Sequence, residues 1–369
     1  MVDVIFPPAE LETANVAPQQ RRLPDVVANI STYLVALAVA LAIGGLALVL
    51  IGADPLDAYA TMVRSSLGSS VALALTLNKA TPLLLGGAAV AFAMRAGYLN
   101  LGVDGQIYVG AAVATGVAFA MGSGYPTPLT VAAVVIAGGA GGAAFGLIPA
   151  VLRVRYGVNE LFVTVMLNFV GFYIADWLAT GPWTDPIAGE AITKAIPAGW
   201  RLPRLFEGAH IGVALAVPIA VALAVWLVHS RRGFEFRSVG LNSAAARLGG
   251  VNLAATGVVA LVVSGAVAGV AGGIEMAGVH GRLVSGLSPN YGYMAVLAAV
   301  LARRSPLLAI PVAFGFGALL VGSDALQGSI GLPSSAVLIF QALVVLSVLF
   351  FESLRGKKSL SLRIFGGGR

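Results

Sequence analysis

Apolar runs of membrane-spanning length, parted by short polar breaks, fill the chain between residues 31 and 352. They cover 31–52, 72–94, 104–122, 127–151, 158–180, 209–229, 254–277, 291–302, 306–325 and 333–351. An α-helix crosses about 30 Å of hydrocarbon in roughly 20 residues. The pattern predicts an all-α membrane protein, a polytopic bundle of about ten transmembrane helices. A polar segment (1–30) precedes the transmembrane domain (31–352), and a basic tail (353–369) follows it. The first apolar run starts too late for a cleaved secretory signal and is expected to stay as an anchor. Two runs depart from the rule. Asn78, Lys79 and Pro82 interrupt 72–94 and predict an irregular outer part. Segment 291–302 is too short to cross and predicts a half-helix completed by the preceding loop.

The sharpest polar break is "RAGYLNLGVDGQIYVGAA" (95–112). Gly97, Gly102 and Gly105 permit tight turns, while Asn100, Asp104 and Gln106 can cap helix ends. Two readings stand: a compact turn between helices, or a broken helix beside a translocation path. Asn159 is a plausible N-cap, with Glu160 in the first turn. Asn168, deeper in that run, needs a partner on another helix or in a cavity. Ionisable residues inside membranes are costly and often functional, and Glu275 closes an apolar run, though near its outer boundary, where water reaches. These five (Asn100, Asp104, Gln106, Asn168 and Glu275) are the candidate path residues. Glycines at 138, 142 and 146, and at 265, 269 and 273, form stripes for close helix packing.

Composition agrees with the bilayer as solvent. The 369 residues are 58% hydrophobic and 10% charged, with mean hydropathy +0.93, against roughly 25% charged in soluble domains. The net charge of +6 is carried by scattered residues, read as topology signals and not as a nucleic-acid surface. With both termini in the cytoplasm, 16 of the 22 basic residues fall inside and 5 outside, with Lys79 in a span. That excess supports this orientation. The chain has no Cys, so disulfides and Cys-ligated zinc are excluded. His210, His229 and His280 lie far apart, and no metal-site spacing or G-x-x-x-x-G-K-[ST] phosphate loop occurs. The chain is therefore not expected to be an enzyme, to hold a metal or cofactor, or to bind ATP itself.

The longest outer loop, 181–208, carries Trp183 and Trp200, which suit the headgroup level, and offers a surface to an extracytoplasmic partner. The longest inner loop, 230–253, contains "NSAAARLGG", with the start and stop signals of a short helix. A cytoplasmic partner or the lipid headgroups would give that helix a reason to be ordered.

Four stretches carry a resemblance: "ATPLLLGGAAVAFAMRAGYLNLGVDGQIYVGA" (80–111), "GVNELFVTVMLN" (157–168), "VGLNSAAARLGGVN" (239–252) and "LVVSGAVAGVAGGIEMAGVHGRL" (261–283). They resemble permease subunits of ABC importers, most closely the nucleoside group related to ribose and branched-chain amino acid permeases. The resemblance runs from about residue 30 to residue 352. It implies a type II importer-like bundle with broken helices in a bacterial plasma (inner) membrane. Gly240, Asn242, Ala245, Ala246, Arg247 and Gly250 match the coupling helix that fits a groove on the ATPase. Asn100, Gly102, Asp104, Gly105 and Gln106 match the Gly-rich turn. Implied partners are ABC ATPase subunits that bind the ATP, a second permease in a heterodimer, and an extracytoplasmic binding protein. The expected cargo is a neutral polar solute, a nucleoside before a sugar or branched-chain amino acid. An ion-coupled secondary carrier is the rival, but Lys79, Asp104, Glu160, Asp176, Glu275 and Asp324 all fall near predicted span ends or breaks.

Overall fold

The computed structural model describes residues 38–39, 41–50, 52–331, 335–347 and 350. The chain divides into a unit of residues 45–343 and a second drawn from its two ends. In the second, the described residues 38–39, 41–44, 344–347 and 350 are helical. The first unit holds the helical bundle.

The helices are α1 (Leu41–Leu50), α2 (Pro55–Leu67), α3 (Ser70–Arg95), α4 (Val103–Met121), α5 (Thr127–Tyr156) and α6 (Glu160–Thr180). They continue as α7 (Gly212–His229), α8 (Arg231–Leu241), α9 (Ser243–Leu248), α10 (Leu253–Glu275), α11 (Tyr291–Leu301), α12 (Ala309–Ile330) and α13 (Ser335–Ser347). Before α7, β1 (Arg204–Phe206) and β2 (Ala209–His210) form a small antiparallel hairpin. Among the described residues, seven helices are long and apolar enough to cross a membrane, or eight if the bent α1–α2 pair counts as one span. The remaining apolar helices, α11 and α13, are shorter.

Local sequence explains most helix ends. Asp54, Ser69, Asn159, Ser230, Asn242 and Asn252 each cap a helix with a side-chain oxygen that accepts a first-turn amide. Behind the Asn159 cap, Glu160 pairs with Arg153 at 3.2 Å. Gly157 ends α5 in the left-handed conformation, which glycine adopts without steric cost.

Three sequence expectations change. α3 is one continuous helix, not irregular at its outer part; Pro82 lies inside it. Its neighbour Thr81 donates its hydroxyl to Leu77 O at 2.8 Å, and the helix is held by α2, α7, α10, α11 and α12 packed around it. α2 was absent from the apolar runs because Asp57 and Arg64 break its hydropathy. Trp200 is not at a headgroup surface. It is buried, and its indole donates to Gly122 O at 2.6 Å.

The two glycine stripes meet each other, packing α5 on α10. A Cβ on Gly138 would lie 2.7 Å from Gly269 O, and one on Gly146 would lie 2.7 Å from Leu261 O. Only hydrogen side chains allow backbones this close. α4 completes a three-helix core by packing on both.

The segment between α3 and α4 re-enters the bundle. Gly86 abuts both Val103 and Ala295, and it lies nine residues before the end of α3. At about 1.5 Å per residue, α4 therefore starts roughly 13 Å inward from that end. α11 is a half-helix, entered through the loop 281–290 from the opposite end. The two irregular segments meet inside the protein, where freed backbone groups can find partners.

Candidate functional site

A cleft of about 380 Å³ opens between α3, α10, α11 and α12 toward the hairpin end of the bundle. α3 brings Asn78 and Lys79, α10 brings Glu275, and a π-helical turn (Met276–His280) brings His280. Tyr291 starts α11, and Asp324 lies on α12. Leu75, Val279, Leu287 and Val321 supply apolar walls. Asn78 is already engaged: its amide donates to Gly208 O at 3.0 Å and its Oδ1 accepts from His210 N at 3.1 Å. It ties the hairpin to the cleft rim.

The charges form one cluster. Lys79 Nζ lies 3.8 Å from Asp324 Oδ2 and 5.9 Å from the centroid of the Tyr291 ring. His280 Nε2 lies 3.8 Å from Glu275 Oε1. Glu275 is buried, and its Oε2 has no hydrogen-bond partner among the described residues. The Asp324 side chain is 58% exposed although its helix is apolar enough to span. A carboxylate on such a helix belongs against a wet cavity or another protein surface, not lipid.

Beneath the cleft rim, His210 is buried against Gly278. Burial lowers its pKa to about 4, so the imidazole is neutral at pH 7. Nδ1 accepts from Gly212 N at 3.0 Å, which leaves the proton on Nε2. Around it, the segment 181–203 is stitched to the loop after α10: Thr193 N donates to Leu283 O, Ile196 N to Gly281 O and Leu202 N to Ala277 O, each at 3.0 Å.

Of the five path candidates, Glu275 lines this cleft and the other four are buried in a separate polar knot. Asn100 donates to Gln106 Oε1 at 2.8 Å and to Ser264 Oγ at 2.9 Å, and accepts from Gly102 N at 3.0 Å. Asn168 accepts from Gly105 N at 2.9 Å and donates to Leu101 O at 2.8 Å. Asp104 Oδ1 accepts from Ser288 Oγ at 2.6 Å and Gly292 N at 2.8 Å. It caps α11, whose own N-cap, Asn290, makes no side-chain cap bond. The knot satisfies the backbone freed where both broken elements meet.

The cleft's Lys79 and Asp324 were not among the sequence candidates. One signal was available: Lys79, Glu275 and Asp324 all fall toward the same predicted face of the bundle. Their mutual proximity was not.

At the other end, α8 and α9 form an angled pair. Asn242 ends α8 and caps α9, accepting from Ala245 N at 3.0 Å. Gly240 sits directly on the Arg95 carbonyl at the end of α3, where any Cβ would collide. Ala246 is buried, and Gly250 turns the chain at φ +83°. Ala245 and Arg247 are exposed, and Leu241 and Leu248 stand out almost fully, at 88% and 91% exposure. Two bare leucines beside an arginine are an unusual surface for a loop left in water.

The family model described as "branched-chain amino acid transport system / permease component" matches residues 72–349. The chain belongs to that permease family. The permease is 33% identical over 346 residues to the glucose ABC transporter permease protein of Haloferax volcanii, covering 90% of each chain. It is 30% identical to the guanosine ABC transporter permease protein of Bacillus subtilis, covering 85% of this chain and 91% of that one. The nucleoside ABC transporter permease protein of Lactococcus lactis is 28% identical, with coverage of 85% and 88%. No solved structure matches. The permease is thus a multi-pass membrane protein and a transport component of the ABC class.

Proposed function

We propose that this permease forms one half of the passage of an ATP-driven importer for a neutral polar solute, a nucleoside in the first place. One observation carries the mechanism. α3 walls the cleft with Asn78 and Lys79, and its far end at Arg95 is the surface on which Gly240 of α8 rests. A push on α8–α9 therefore reaches the cleft along a single packed helix. The hairpin end is the outer face and receives solute from an extracytoplasmic binding protein. The α8–α9 end is cytoplasmic, as are both termini, and Arg247, Leu241 and Leu248 dock on an ABC ATPase. ATP closes the ATPase pair and biases the bundle between outward-open and inward-open states. Asp324, exposed on α12, faces the path or the second permease subunit, and a heterodimer completes the cleft.

The cleft chemistry supports a nucleoside over a sugar. Exposed apolar walls such as Leu75 and Val279 suit a flat heteroaromatic base, while a hexose needs a dense shell of free hydrogen-bonding groups, and Asn78 already uses its own on the hairpin. Relatives named for guanosine and nucleosides agree, and the relative named for glucose keeps a sugar as the alternative. The Lys79–Asp324 pair and the buried Glu275 beside His280 are features an ion-coupled carrier would share. The test is uptake into proteoliposomes holding the permease with its co-expressed subunits. Radiolabelled guanosine is expected to accumulate with internal ATP and be displaced by other nucleosides but not by glucose. Displacement by glucose would move the reading to a sugar, and accumulation driven by a sodium or proton gradient without ATP would end it.

A further inference from the structure

A second cleft, of about 240 Å³, lies at the α8–α9 end where α3, α7, α8 and the loop 302–308 converge. Two arginines line it, Arg95 and Arg237, with Ala224, Leu227, Ser305 and Pro306, and no acidic side chain does. Arg237 is half-buried, and its Nη1 is buried without any acceptor among the described residues. Arg95 donates its Nε to Arg304 O at 2.7 Å, and among the described residues its Nη groups have no hydrogen-bond acceptor. On the same helix, Glu235 lines a different pocket with Arg231 and Arg232 and pairs with Arg231 at 3.8 Å. A buried guanidinium nitrogen without a partner is costly unless an anion meets it. We propose that this cleft binds a phosphate-bearing anion.

The rim favours a phospholipid headgroup as the source. Val228, Leu307 and Leu308 are apolar and exposed beside the opening, as acyl chains above a seated headgroup require. Basic pockets between spanning helices are suited to anionic headgroups, and forked guanidinium donors match phosphate oxygens. The position gives the site a consequence. Gly240 of α8 rests on the Arg95 carbonyl, so an anion bridging Arg95 and Arg237 clamps α8 to the end of α3. The cleft is separate from the solute cleft, and the inference does not depend on which solute is carried.

The experiment uses the full-length protein in delipidated detergent micelles, with lipid retention read by native mass spectrometry. Phosphatidylglycerol and phosphatidylcholine form one arm, and inorganic phosphate with a thermal-shift readout forms the other. Wild type is expected to retain phosphatidylglycerol about five-fold over phosphatidylcholine, the scale of one basic contact to anionic lipid. Arg237→Gln is expected to abolish that preference and Arg237→Lys to keep most of it. No lipid preference, with protection by inorganic phosphate that Arg237→Gln loses, would keep the phosphate chemistry and assign it to the free anion. Equal retention of both lipids with no response to phosphate would overturn the proposal, as would a preference that survives in folded Arg237→Gln. The wild-type comparison needs no variant, so the test stands even where Arg237→Gln does not fold.

Discussion

Asn168→Leu separates a positioning role from solute contact. In the structure the Asn168 amide serves two backbone groups of the re-entrant segment, Gly105 N at 2.9 Å and Leu101 O at 2.8 Å. Leucine removes both partners while filling a similar volume. Each buried polar group left alone costs about 1–3 kcal/mol, so the pair puts the loss at about 2–6 kcal/mol. Polar contacts between spanning helices measure lower, about 0.6 kcal/mol on average, because their groups find other partners. Here one orphan is a first-turn amide of α4, which has no intrahelical acceptor, and the other is a carbonyl of the non-helical segment before it, so the larger scale governs. Added apolar burial offsets part of it, and about 2–4 kcal/mol is expected. Thermal stability in detergent, followed by size exclusion after heating, should fall by about 3–5 °C. The KM for solute in protein that remains folded should stay unchanged. A variant of wild-type stability with an altered KM would refute the positioning role and put Asn168 on the path.

Arg247→Glu should reduce ATP-driven uptake at least about five-fold while membrane insertion stays normal, since charge reversal at a docking surface costs on the order of 1–3 kcal/mol; unchanged uptake would remove Arg247 from the coupling surface. Gly142→Leu should prevent stable assembly, because its new Cβ would lie 2.7 Å from both Cα and N of Gly269; a folded variant seen by size exclusion would contradict the α5–α10 packing. The pH dependence follows from His210, whose pKa drops from 6.5 to about 4 on burial. The unfolded chain takes up the proton first, so this contribution to stability is full above about pH 6.5 and is lost as pH falls toward 4. Protonation also ends the acceptor role of Nδ1 toward Gly212 N. His210→Gln should flatten the thermal-stability profile between pH 6.5 and 4; an unchanged slope would place the acid sensitivity elsewhere.

The sequence by itself determined the solvent and the local elements. Apolar runs marked the spans because an unpaired backbone in hydrocarbon must close its hydrogen bonds within a helix. "NSAAARLGG" announced α9 because capping is settled over a few residues. The glycine stripes announced close packing because only missing side chains let helix backbones approach. Neighbours in space were another matter. Nothing local joins Asp104 to the start of α11, Lys79 to Asp324, or Trp200 to Gly122. Hydropathy reports the environment of a residue and not its partner, so Asn100, Asp104, Gln106 and Asn168 read alike as path or as structure. Tertiary packing supplied their partners: it turned the segment after Arg95 back into the bundle, where these side chains bond backbone groups and one another, and it left the charges of α3, α10 and α12 to meet around one cleft.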